Sequence, residues 1–177
     1  NDQGVVVGES DVGPAFPSQA WHAFLWDGQM NDLGTYSGTK YSRLFDINGS
    51  ATAVGESFSN DTGYFAVLYN GTFHSLPLST SAAINDAGTI AGTIWIGGLT
   101  RAALLSDSGE LALLPGIVNE SAAHVLSNNG WAAGTAYDAA GTQHAVIWEQ
   151  VPEPGSLLCL GAGLAWTAAG RRTAARH

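Results

Sequence analysis

Four stretches of this 177-residue chain repeat one another: "NDQGVVVGES" from Asn1, "NGSATAVGES" from Asn48, "NDAGTIAGT" from Asn85 and "SNNGWAAGT" from Ser127. The last glycines of the aligned patterns, Gly8, Gly55, Gly92 and Gly134, stand 47, 37 and 42 residues apart. A period of that size marks a repeat architecture, in which each unit buries its apolar face only against its neighbours. The fold is therefore set by how units stack.

Each pattern is followed by a second apolar block: "HAFLWDGQMNDLG" from His22, "FAVLYNGTFHSLP" from Phe65, "RAALLSDSGELALLPG" from Arg101 and "HAVIWEQ" from His144. Asp27-Gly28 and Asn70-Gly71 fall between apolar runs, which predicts a two-residue hairpin turn, and "SDSG" gives a longer one in the third block. Alternation in "HAFLW" puts His22, Phe24 and Trp26 on one strand face and Ala23 and Leu25 on the other. "SRLFDI", "SAAI" and "AAHVL" precede the later patterns and predict a further strand leading into each. Four short strands per unit of about 40 to 45 residues is the arithmetic of β-propeller blades. The expected class is all-β and propeller-like, with units over 1–47, 48–84, 85–126 and 127–150; a β-solenoid or a meandering sandwich competes. Three and a half units fall short of a closed ring, and Pro14 and Pro17 predict an exposed loop in the first.

Charge divides the chain in two. Residues 1–150 hold 14 acidic residues against Lys40, Arg43 and Arg101, a net of −11, while residues 151–177 hold Glu153 and three arginines, a net of +2. A body this acidic lacks the basic footprint of a nucleic-acid binder. The single cysteine, Cys159, rules out an intramolecular disulfide or a zinc cluster. The chain opens inside the repeated pattern, with neither an initiator Met nor a signal peptide, which reads as the C-terminal part of something longer; an interrupted reading frame would give the same picture.

Residues 1–150, and above all "NDQGVVVGES" followed by "HAFLWDGQMNDLGTYSG", resemble the HAF family of extracellular bacterial repeats. Phe65-Ala66-Val67 and Arg101-Ala102-Ala103 replace the tripeptide in the second and third blocks, and the fourth stops early. The resemblance implies an exported repeat protein and brings no catalytic residues with it.

The tail reads differently. Val151-Pro152-Glu153-Pro154 leads into an uncharged span, 156–170, and then a basic end, 171–177, with Arg171, Arg172 and Arg176. A helix over the span would be ~22 Å long, short of the ~30 Å hydrocarbon core unless the arginines snorkel. The expectation is a C-terminal transmembrane helix with its arginines on the cytoplasmic side, against a docked amphipathic helix. The three parts in this order resemble the PEP-CTERM sorting signal of Gram-negative bacteria. That resemblance implies export, transient anchoring in the inner membrane, processing by an exosortase at the Pro-Glu-Pro stretch, and a surface or matrix destination in a maker of biofilm exopolysaccharide.

Catalytic chemistry finds little footing. Five histidines, His22, His74, His124, His144 and His177, lack metal-ligand spacing, and Ser10 and Ser57 lack the second glycine of a nucleophile elbow. Short acidic turns such as "NDAG" do not supply a full calcium loop. Glu9 and Glu56 are equivalent and would be a glycosidase pair if both faced a central channel, but Thr93 and Thr135 replace them later. No cofactor is expected, and no ligand-binding residue can be named. The leading function is non-enzymatic: adhesion or matrix structure. The alternative is a carbohydrate-binding or carbohydrate-active propeller with Trp21, Tyr36, Trp95 and Trp131 as sugar platforms.

Overall fold

The computed structural model describes residues 1–13, 20–37, 39–61, 63–115 and 119–149. They form fourteen strands and no helix. Unit 1 holds β1 (Val6–Asp11), β2 (Trp21–Trp26) and β3 (Met30–Gly34). Grouped by strand pairing, each leading strand goes with the repeat it leads into and not with the stretch 1–47, 48–84 or 85–126 that contains it, so unit 2 holds β4 (Tyr41–Ile47), β5 (Ala53–Ser59), β6 (Gly63–Tyr69) and β7 (Phe73–Ser75). Unit 3 holds β8 (Thr80–Ile84), β9 (Ile90–Ile96), β10 (Leu99–Leu105) and β11 (Leu111–Leu113), and unit 4 holds β12 (Ser121–Leu126), β13 (Ala132–Tyr137) and β14 (Gln143–Trp148). Each unit is an antiparallel meander, and the expected leading strands are β4, β8 and β12.

Units 3 and 4 are separate sheets, whereas units 1 and 2 join into one seven-stranded sheet through a single parallel bridge, Trp21 to Tyr41. Among the described residues no sheet closes on itself and no other strand pairing crosses between units. A β-solenoid would pair equivalent strands of successive coils in parallel; these meanders stack face to face instead. The expected transmembrane helix over 156–170 and the loop around Pro14 and Pro17 lie outside the described residues.

Three apolar clusters fill the three junctions. Ala23, Leu44, Ile47 and Ala53 lie between units 1 and 2; Val54, Ala66, Ile84, Ile90, Ala103 and Leu105 lie between units 2 and 3; Ala83, Ala91, Leu104, Ala123, Ala132 and Trp148 lie between units 3 and 4. The alternation read from "HAFLW" explains the first. Ala23 and Leu25 turn toward unit 2, while the ring of Phe24 lies over Gly8 on the other side.

Two backbone devices recur. A bulge in each leading strand, at Leu44/Asp46, Ser81/Ala83 and Ala123/Val125, drives that strand against the glycine opposite it. A Cβ at Gly55, Gly92 or Gly134 would lie 1.9, 2.1 or 1.9 Å from the main-chain oxygen of Arg43, Thr80 or Ala122. These repeat glycines are close-approach positions.

The second device is the turn that opens each sequence repeat. In Asn1–Gly4, Asn48–Ala51, Asn85–Gly88 and Ser127–Gly130 the fourth N–H donates to the first carbonyl at 3.0, 3.2, 3.0 and 3.1 Å. The fourth residue is left-handed each time, with φ of 77°, 62°, 79° and 83°. This is a type I turn closed by a left-handed residue. Ala51 alone lacks glycine there, so Ala51→Gly is expected to raise stability by up to about 1 kcal/mol. A urea melt checks it, and a loss would mean that the turn tolerates Ala51 without strain. The Asp27-Gly28 and Asn70-Gly71 hairpins form where expected, but their loops hold three residues, since Trp26 pairs with Met30 and Tyr69 with Phe73.

Candidate functional site

The turns bind the units to one another. Asn1 Nδ2 donates to the carbonyl of Asn48 at 2.9 Å, Asn48 Nδ2 to that of Asn85 at 3.1 Å, and Asn85 Nδ2 to that of Ser127 at 3.4 Å. The same side chains accept inside their own turns: Asn1 Oδ1 from Val5 N–H, Asn48 Oδ1 from Thr52 N–H and Asn85 Oδ1 from Thr89 N–H, at 2.9 to 3.0 Å. An amide side chain supplies both halves from separate atoms, Nδ2 reaching the next turn while Oδ1 stays in its own. Ser127 keeps the accepting half, taking the Trp131 N–H at 3.0 Å. A second line runs beside the first: the Gly49 N–H donates to Asp86 at 2.7 Å, and the Asp86 N–H to Asn128 at 2.9 Å.

Across the seam of units 1 and 2, four aromatic residues meet at one level because they are register partners: Trp21 with Tyr41, Tyr41 with Phe58, and Phe58 with Tyr64. Their ring centroids are 5.4, 5.7 and 4.8 Å apart, about the spacing of hydrogen-bonded strands. Lys40 Nζ stands 5.1 Å from the Tyr41 ring, and the Arg43 guanidinium 5.1 Å from Phe45 and 5.6 Å from Tyr64. Exposed aromatic faces flanked by cations make a contact surface with apolar and charged recognition in one place.

Glu9 and Glu56 do converge here, in a shallow cleft shared with Trp21, Tyr41, Arg43 and Tyr64. Glu56 is buried and ion-paired with Arg43, whose Nε donates to Oε1 at 2.9 Å. The free space, about 10 Å3, is that of one water molecule, too small for a sugar ring. A wider open cleft of about 540 Å3 lies between Asp32, Tyr36, Tyr69 and Phe73.

Of the four aromatics picked out from the sequence, only Trp21 enters the row. Tyr36 packs edge-on against Phe65 at 5.5 Å, while Trp95 and Trp131 are exposed on units 3 and 4. Tyr41, Phe58 and Tyr64 were missed, because only the strand register places them beside Trp21.

The described histidines have separate local partners. His22 Nδ1 meets Asp32 at 2.8 Å and His144 Nε2 meets Asp138 at 2.9 Å. His74 lies 3.0 Å from Thr72 Oγ1, and His124 lies 3.2 Å from Thr135 Oγ1. The Gly34 N–H, then His22, holds the Asp32 carboxyl below the usual carboxylate range. His144, then the Thr142 N–H, does the same for Asp138. His177, the Val151-Pro152-Glu153-Pro154 stretch, and Arg171, Arg172 and Arg176 lie outside the described residues.

That tail is where comparison with known proteins is informative. Residues 150–172 match the PEP-CTERM protein-sorting motif. The match begins one residue before Val151 and takes in Arg171 and Arg172. The sorting motif marks the chain as an exported substrate of an exosortase. No curated protein and no solved structure matches the chain.

Proposed function

We propose that this is a non-enzymatic repeat protein of the cell surface or extracellular matrix, exported and released from a transient inner-membrane anchor by exosortase processing. The sorting motif at 150–172 carries the proposal. The stacked all-β body supports it, since stacked repeats present extended binding surfaces. In this reading the body is a propeller-like stack of HAF-type repeats. The non-enzymatic role is supported at Glu56, whose charge is balanced by Arg43.

The expected partner is exopolysaccharide, met at the Trp21, Tyr41, Phe58 and Tyr64 row, where the C–H face of a sugar ring stacks on an aromatic face. Affinity electrophoresis through gels containing exopolysaccharide from an exosortase-bearing bacterium tests this contact. The chain is expected to be retarded, and Trp21→Ala with Tyr64→Ala to restore most of its free mobility. Equal mobility with and without polysaccharide would remove the exopolysaccharide partner while leaving the sorting untouched.

A further inference from the structure

An asparagine followed by glycine is chemically labile, because no Cβ shields the glycine nitrogen from the asparagine Cγ and the chain there bends readily. This protein holds three such pairs, Asn48-Gly49, Asn70-Gly71 and Asn129-Gly130. All three lie in turns, so the dipeptide alone does not rank them. Attack needs a glycine N–H that is not committed to a hydrogen bond and an amide that can swing toward it. The fold supplies both conditions at one pair.

Two pairs are held. Asn48 is buried, its Oδ1 accepts from the Ser50 and Thr52 N–H groups, and its Nδ2 reaches the carbonyl of Asn85. The Gly49 N–H donates to Asp86 at 2.7 Å. Asn129 is exposed, but Ser127 Oγ donates to its Oδ1, and the Gly130 N–H closes the turn onto the Ser127 carbonyl at 3.1 Å. Asn70 and Gly71 differ on every count. Both are exposed, at the tip of the β6–β7 hairpin. Among the described residues the Gly71 N–H has no hydrogen-bond partner, and a Cβ on Gly71 would meet nothing within 4 Å. The Asn70 amide has one side-chain contact there, from Oδ1 to Nε2 of the exposed His74 at 3.1 Å.

We propose that Asn70 is a site of spontaneous covalent modification, in which the Gly71 main-chain nitrogen attacks Asn70 Cγ. The N–Cγ bond forms as the Gly71 N–H proton passes to water, and the Cγ–Nδ2 bond breaks with release of ammonia. Water then opens the resulting cyclic imide. Opening at the Cγ side leaves an aspartate, and opening at the main-chain carbonyl leaves an isoaspartyl linkage. Each turnover consumes water and releases ammonia, with no oxidant or reductant. Gly71, Thr72 and Phe73 line the open cleft that Asp32 lines from unit 1, so the step sets a second carboxylate at its rim, beside His74. The unit 1 turn already carries an acid at the equivalent position, in Asp27-Gly28. The isoaspartyl product adds a methylene to the main chain and disturbs the pairing of Tyr69 with Phe73.

Timed incubation of the full chain at neutral pH tests this, folded in detergent micelles and, separately, unfolded in urea. Peptide mass spectrometry follows the mass gain of an amide-to-acid change at each of the three pairs. In the folded chain Asn70 is expected to convert about tenfold or more faster than Asn48 and Asn129, which react only after local opening. In urea the three rates should fall within a few-fold of one another, because the hydrogen bonds that hold two of the pairs are gone. Asn70→Gln, whose longer side chain disfavours the ring, should leave its peptide unchanged. An Asn70 that stays amidated in the folded chain, folded rates as closely matched as those in urea, or a mass gain that persists in Asn70→Gln would each overturn the proposal.

Discussion

Replacing Gly92 with alanine is expected to cost about 3 kcal/mol or more of folding stability, the upper range for overpacking, because the clash is with the main chain of the neighbouring strand. A Cβ there would stand 2.1 Å from the Thr80 carbonyl oxygen and 3.1 Å from Ser81 Cα. Relief requires prising β8 from β9, and β8 is also the strand that packs against unit 2 through Ile84. The damage therefore reaches a junction as well as a hairpin. Gly8→Ala is the matched control. A Cβ at Gly8 would meet the Phe24 ring at 2.7 Å, a side chain that can rotate away, so the expected loss is smaller. Urea melts of the two variants decide the matter. Equal losses would mean that close approach of the leading strand is not why the repeat keeps this glycine.

The second large effect is expected at Asn48. It is buried, spans two turns with one amide, and also accepts from the Ser50 N–H at 3.1 Å. Asn48→Ala removes the rung to Asn85 and leaves the Thr52 and Ser50 N–H groups without their acceptor, a loss of about 2–3 kcal/mol. Asn48→Ser, which copies the turn chemistry of Ser127, should recover the local half and leave a deficit of about 1 kcal/mol for the missing rung. Amide hydrogen exchange adds a spatial readout. In Asn48→Ala, protection should fall around Asn85 in the next unit as well as around Thr52. Loss confined to the 48–52 turn would contradict coupling between units.

Much of this arrangement was legible in the chain. The "Asn-x-x-Gly" turns, the hairpins at Gly28 and Gly71 and the strands leading into Asn48, Asn85 and Ser127 are local features, and local residues specify them. Two features were not readable, because they depend on partners a whole repeat away. The asparagine ladder joins positions 47, 37 and 42 residues apart and exists only once the units are stacked. The aromatic row needs the registers of four strands together, so Tyr64 could not be linked to Trp21 from sequence. Glu9 and Glu56 were paired by repeat equivalence, but the pattern gave no hint that Arg43, across the β4–β5 pairing, would hold Glu56.

The two parts of the chain answer different physical demands. The body is a one-dimensional stack in which each junction has its own apolar cluster and its own asparagine rung, so its stability accumulates from neighbour to neighbour. The tail carries an address, with a processing stretch, an apolar span and a basic end in fixed order.

The central claim is that this address is read. The direct measurement is the C-terminal mass of the chain, expressed with an export signal in hosts with and without an exosortase and recovered from each cell fraction. The account predicts a body found outside the inner membrane and ending near Pro152 to Pro154 only where the exosortase is present. A chain intact through His177 in the soluble cytoplasmic fraction of both hosts would contradict it.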